Sequence, residues 1–191
     1  MRRSLADPVA ASGKARRALL LWICIVIFVT VGTQLPFDRL IKAVDLWAEL
    51  RGRKDLFAQI GHGGYRPHNI RWEEFIDVPE FEHYVREAQA IVAHAGMGTI
   101  ITALDLGKPI LVMPRRADLK ETRNDHQVAT AKYLKQKCGI LVAFDESELI
   151  TRLDELILHK SGDYKPVVSH QLIEVVRSFI KANEPVRTFL P

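Results

Sequence analysis

Apolar positions along the chain change period repeatedly, from short unbroken runs to helical spacing and back. Ile27-Phe28-Val29-Thr30-Val31 is such a run, ended by Gly32, and reads as a buried strand entering a glycine loop. Beyond Pro36 the apolar residues Phe37, Leu40, Ile41, Val44 and Trp47 recur at the i, i+3, i+4, i+7 spacing of a helix with one buried face. The alternation continues. Further strands are predicted over 56–60, 75–78, 91–93, 110–113 and 140–143, with a glycine-rich loop (Gly61-His62-Gly63-Gly64) after the first of these. Helices are predicted over 80–88, over 99–106 with Gly107 as the stop and Pro109 beyond it, and over 124–137 ended by Gly139. Another starts at Ser147 with Leu149, Ile150, Leu153, Leu156 and Ile157 on one face. A last one carries Leu172, Ile173, Val176, Phe179 and Ile180.

Short apolar strands alternating with amphipathic helices predict an α/β fold: a Rossmann-like, doubly wound parallel sheet with helices on both faces. In such sheets a ligand binds beyond the carboxyl ends of the strands, where the strand order reverses. Attention therefore falls on the loops after 27–31, after 91–93 and after 110–113.

The segment before the first strand has a different character. Residues 1–17 are small, polar and basic, and an apolar run follows over 18–31. That run is 14 residues, against about 20 for a membrane span, and its last five are already claimed by the first strand. A signal peptide fits the charge order, but no small-x-small cleavage site follows and cleavage would remove the strand. A basic, apolar segment resting on an anionic membrane surface is a second reading. A third takes residues 1–25 as foreign to the native protein, with Val26 encoded by GTG as the true start. Residues 1–26 are therefore set apart as an extension, and 27–191 as the folded domain.

Charge follows the same division. The chain carries 27 Lys and Arg against 23 Asp and Glu, a formal net charge of +4. The first 25 residues hold five basic residues and one acidic one, and the remainder holds 22 of each. A protein that grips a phosphate backbone shows a basic face on its folded body. Nothing in the balance of 27–191 calls for one, so no nucleic-acid partner is expected. Cys24 and Cys138 are the two cysteines, too few and too unlike in context for a disulfide framework, which points to a reducing cytosol.

Candidate chemistry gathers in the loops already marked. His94-Ala95-Gly96-Met97-Gly98-Thr99 joins a strand to a helix. Two glycines let the backbone approach a ligand closely, and free N–H groups at the helix start suit an anion such as a diphosphate. Thr99 either caps that helix or donates to a phosphate oxygen. The plain alternative is a tight turn with no ligand. The loop lacks the Gly-Lys-Ser/Thr of a Walker motif and is not the full dinucleotide fingerprint. Gly32-Thr33-Gln34 follows the first strand at the same sheet end, either as a simple turn or as a second lip of one cleft. Asn124-Asp125-His126-Gln127 opens a helix; these residues either cap it or read sugar hydroxyls, which amides and carboxylates bind in pairs. Arg115, Arg116, Lys120 and Arg123 face phosphate or, mixed with Asp118 and Glu121, form a solvated loop. His62 and His68 are too loosely spaced for a metal site, and no Gly-x-Ser-x-Gly element or nucleophile triad is present. Trp22, Trp47 and Trp72 read as packing residues.

The ordered set His94-Ala-Gly-Met-Gly-Thr99, Leu106-Gly-Lys-Pro109, Pro114 and Asn124-Asp-His-Gln127, with Phe28-Val-Thr-Val-Gly-Thr-Gln34 ahead of it, resembles the C-terminal, donor-binding half of family 28 glycosyltransferases. Within that family it is most similar to stand-alone versions of this half, such as the small subunit of two-component bacterial exopolysaccharide glycosyltransferases. The resemblance covers about residues 27–160. It implies one Rossmann-like half of a GT-B enzyme, binding a UDP-sugar. By position, Gly32, Thr33 and Gln34 border the diphosphate and acceptor cleft. Phe75-Ile76-Asp77 matches a segment whose backbone near the Ile recognises uracil in the peptidoglycan GlcNAc transferase. Gly96, Met97, Gly98 and Thr99 hold the diphosphate, His94 at the head of that loop belongs to the donor-binding set, and Asp125, His126 and Gln127 face the sugar. The family's ribose-binding Glu falls at Thr102, a departure, with Asp105 three residues on as its substitute.

A GT-B cleft lies between two halves, so the resemblance implies a membrane-anchored, acceptor-binding partner subunit and a polyprenyl-linked acceptor at the cytoplasmic face of the inner membrane. It implies inverting transfer without metal or cofactor, the leaving diphosphate being stabilised by helix N–H groups. No general base is identified in this chain, and the partner is a candidate to supply it. Two other classes stay open: a non-catalytic nucleotide-binding module that stabilises a complete transferase, and a different nucleotide-sugar enzyme such as an epimerase. The sugar is undetermined.

Overall fold

The computed structural model describes residues 27–138 and 140–158. The N-terminal extension, Trp22, Cys24 and the helix expected around 172–180 lie outside the described residues.

Six strands form one sheet: β1 (Ile27–Thr30), β2 (Leu56–Gln59), β3 (Arg71–Glu73), β4 (Ala90–His94), β5 (Ile110–Met113) and β6 (Leu141–Val142). Their order is β3-β2-β1-β4-β5-β6 and every pairing is parallel. The helices are α1 (Asp38–Leu50), α2 (Val78–Glu87), α3 (Met97–Asp105), α4 (His126–Cys138) and α5 (Glu146–Leu158). The α/β, doubly wound sheet expected from the hydrophobic pattern is therefore the one observed. Its order reverses between β1 and β4, which places the switch point at the ends of those two strands.

Strand side chains alternate between two apolar layers. Ile27, Val29, Val31, Leu56, Val92 and Leu111 pack against α1 and α5 around Leu40, Val44, Trp47, Leu149 and Leu153. Phe28, Phe57, Ile91, Ile110 and Val112 face the opposite layer, with Val85, Ile100, Ala103, Ala131 and Leu134 from α2, α3 and α4. Both faces of the four central strands are buried, which explains why they read as continuous apolar runs. Trp47 is wholly buried and Trp72 half-buried against the same layer, so both serve packing as expected.

Two expectations are corrected. The strand expected over 75–78 lies earlier, at Arg71–Glu73, beside β2. Phe75 and Ile76 belong to the loop that follows. Asp77 is the N-cap of α2: its carboxylate accepts from the Glu80 backbone N–H at 2.8 Å, while Glu80 accepts from the Asp77 N–H at 3.4 Å. That reciprocal pair, with Pro79 in the first turn, favours a helix start over a strand. The helix at the second glycine loop also begins earlier, at Met97, with Gly96 as N-cap and no side-chain cap bond. Thr99 is thus inside the first turn and does not cap.

Candidate functional site

The carboxyl ends of β1 and β4 open into one cleft of about 790 Å³, a size suited to a small organic ligand. Its floor is polar although the strands are not. Thr30 and Gln59, both buried, hydrogen-bond to each other at 2.8 Å, and the Gly32 N–H donates to the Thr30 hydroxyl at 3.2 Å. Polar residues at the ends of apolar runs, Thr30 and Gln59, are the sequence signal of this floor.

Both glycine loops meet over His94. Gly32 has φ of +80°, and a Cβ there would lie 2.7 Å from His94 Cε1. A Cβ on Gly96 would lie 2.2 Å from His94 Nε2. Glycine is required at these positions because the imidazole fills the space between the loops. His94 Nδ1 is buried and makes no hydrogen bond. Burial, with the nearby Arg115 guanidinium adding to it, pushes the imidazole down to about 4, so it is neutral at pH 7. Gly98 differs: a Cβ there meets nothing within 4 Å and would project into open space. The first backbone bond of α3 that crosses the cap runs from Ile100 N–H to Gly96 C=O. The N–H groups at the start of this helix are therefore those available to an anion in the cleft.

The walls come from α2, α3, the loop after β5 and the first turn of α4. Phe75, Ile76, Asp77, Thr102 and Asp105 all line the cleft. The Thr102 hydroxyl donates back to the Gly98 carbonyl at 3.0 Å, so it is committed to its own helix. On the other side, the Gln127 Oε1 accepts from the Arg115 N–H at 3.1 Å. Glu121 and Thr122 complete that wall.

Eleven of the expected site residues line this cleft: Gly32, Thr33, Gln34, Phe75, Ile76, His94, Gly96, Gly98, Thr99, Thr102 and Gln127. Three do not. Met97 packs against the apolar layer beneath α3. The Asp125 carboxylate accepts from the Ala117 N–H at 2.9 Å, holding its own loop, and neither it nor His126 reaches the lining. The neighbouring Arg116 pairs with Asp118, as a solvated loop would. No group of three or more His, Cys, Asp or Glu among the described residues is arranged to hold a metal. His62 instead pairs with Glu74 at 3.0 Å.

Against known proteins, the model of the glycosyltransferase family 28 C-terminal domain matches residues 26–165. The chain belongs to that family. Two curated relatives of this family 28 domain carry the name UDP-N-acetylglucosamine transferase subunit ALG13. The mouse protein is 32% identical over 194 aligned residues, covering 85% of this chain and 16% of its own length. The human protein is 33% identical over 121 residues, covering 58% and 10%. The chain thus spans less than a fifth of the curated relatives it matches. Among solved structures, the solution structure of ALG13 superimposes with a TM-score of 0.53 at 21% identity, covering 83% of this chain and 94% of that one. A UDP-glucose:anthocyanidin 3-O-glucosyltransferase in complex with UDP gives 0.54 at 13% identity, covering 93% and 40%. These likenesses share the fold: a family 28 domain has the Rossmann-like form of one half of a GT-B glycosyltransferase. No helix among the described residues is long and apolar enough to cross a membrane.

Proposed function

We propose that this chain is the donor-binding, catalytic subunit of a heteromeric, inverting UDP-sugar glycosyltransferase. It acts on a polyprenyl-diphosphate-linked saccharide in exopolysaccharide synthesis, at the cytoplasmic face of the inner membrane. Residues 27–191 form the donor domain, and a membrane-anchored partner supplies the acceptor half. The observation that carries this reading is the cleft at the switch point, lined by both glycine loops, in a chain of family 28. The relatives' name, a transferase subunit, supports a heteromeric enzyme, and a glucosyltransferase of the same fold has been solved with UDP.

In this reading the α3 N-terminus, with Gly96, Gly98 and Thr99, holds the diphosphate and stabilises it as the acceptor hydroxyl displaces it from the anomeric carbon. The backbone at Phe75 and Ile76 meets the uracil. Asp105 serves the ribose, since Thr102 is bonded to its own helix. Gln127 faces the sugar, and Gly32–Gln34 border the acceptor. His94 is neutral and packed under the glycines, and it supports the loops.

Calorimetric titration of the purified protein with UDP tests the site. Binding is expected, and no binding with or without the partner would sink the proposal. The Gly98→Asp variant supplies the specific control. Its side chain has open space and suits a helix N-terminus, so circular dichroism stays unchanged. UDP affinity falls at least about a hundredfold, because like charges about 4 Å apart repel by about 4 kcal/mol at an effective dielectric of 20. Full transferase activity from the partner alone would favour a non-catalytic, nucleotide-binding role instead.

A further inference from the structure

The loop after β1 (residues 31–36) and the loop after β5 (residues 114–125) lie against each other at the cleft. Each is held by an arginine that belongs to the other side. Arg115 turns inward and is only 5% exposed. Its Nη1 donates to the Pro36 carbonyl at 2.7 Å, and its Nη2 to the carbonyls of Val31 at 3.0 Å and Leu35 at 2.6 Å. The guanidinium lies 4.7 Å from the ring centroid of Phe37, itself buried. In the opposite direction, Arg39 on α1 forms a two-bond fork with Glu121 at 2.7 and 2.9 Å and donates to the carbonyls of Pro114 and Phe144. Glu121 also accepts from the Arg116 N–H.

We propose that Arg115 and Arg39 are positioning residues that lock these two loops into one rigid wall, holding the Gly32–Gln34 lip opposite Gln127 before any donor arrives. The inference rests on reading the cleft as a donor site and adds how its wall is kept in place. Three observations carry it. Loop carbonyls have no partner within secondary structure, and a planar fork of five donors meets three converging carbonyls as a compact ammonium does not. Among the described residues no carboxylate hydrogen-bonds Arg115; Glu121 acts on it only through space, and its bonds go to backbone carbonyls. The backbone N–H of the same residue holds Gln127, so one position fixes both lips.

The test uses the full chain as wild type, Arg115→Lys, Arg115→Gln and Arg39→Lys, with Arg116→Gln as a control in the same loop. Hydrogen exchange read by mass spectrometry and calorimetry with UDP are the two measurements. Both Arg115 variants are expected to speed exchange over 31–36, and Arg39→Lys over 114–125, by about tenfold, the equivalent of one or two net hydrogen bonds. Strand amides keep wild-type protection, and UDP affinity falls by a similar factor. Arg116→Gln changes neither. Arg115→Lys retains the charge and the stem, so it keeps the proposal open to refutation if Arg115→Gln fails to fold. Unchanged loop exchange in the lysine variants would overturn the proposal, and so would an increase spread evenly through the sheet. If wild type binds no UDP, the donor reading fails, and the exchange measurement still decides on the wall.

Discussion

His94 shows how one side chain sets the chemistry around it. Its imidazole occupies the space beneath Gly32 and Gly96, so Gly96→Ala drives a methyl into the ring. Overpacking of this kind costs about 1–3 kcal/mol. Adding His94→Ala to the same chain removes the clash, and urea unfolding of the double variant is expected to show much less than the summed loss. Equal additivity would refute the packing account. The imidazole also makes stability depend on pH. Its folded pKa is about 4, below its ordinary value of 6.5, so between those limits the unfolded chain binds more protons. Stability is complete above that window and falls as pH drops through it, by about 3 kcal/mol between pH 7 and pH 4. Comparing urea midpoints at the two pH values, His94→Gln should lose less than wild type by that amount. Identical pH dependence in the two proteins would show that His94 is not the group responsible.

At the scale of elements, α1 and α5 are joined across the same face of the sheet by Asp154. It accepts from the buried Trp47 Nε1 at 2.9 Å and from Arg51 at 2.6 and 3.0 Å, and these bonds hold its carboxyl down at about 2. Asp154→Ala leaves the Trp47 N–H without its acceptor, for a loss of about 1–3 kcal/mol in chemical denaturation. Exposed ion pairs contribute little, so Arg51→Ala should cost much less than Asp154→Ala; an equal loss there would make the ion pair the main tie. The central strands were legible because each is apolar on both faces. β3 was not, because Arg71-Trp72-Glu73 is a three-residue edge strand that shows little burial and no alternation. The apolar residues Phe75, Ile76 and Val78 drew the expectation instead, although Asp77 and Glu80 at capping-box spacing were there to be read. The glycine loops were legible for a physical reason, since only glycine fits against His94 or leaves space above α3. Arg115 was not, because an arginine in a charged loop reads as solvated. Its partners are backbone carbonyls, which leave no trace in a sequence.

For the whole molecule, strand order did what the alternation of elements predicted: it put both glycine loops at one switch point. Which loop residues turn inward was settled by tertiary contacts. Asp125 was spent on Ala117, while Gln127 reached the cleft. A ligand that binds there stabilises the entire domain. With the cleft as the proposed donor site, UDP at a hundred times its dissociation constant adds about 2.7 kcal/mol, which for a chain of this size raises Tm by about 5–11 °C. Differential scanning fluorimetry reads that shift, and Gly98→Asp should remove most of it. The same sheet order has a consequence for synthesis. β1 is central yet the first of the described strands: Ile27 pairs with Leu56 on one side but with Ala90 on the other. At about 5–20 residues per second, a nascent chain holds β1 for several seconds with one apolar edge unpaired. The strand that leads into the first glycine loop is therefore the one most open to wrong pairing on the ribosome, and the half-made chain is where a chaperone has most to protect.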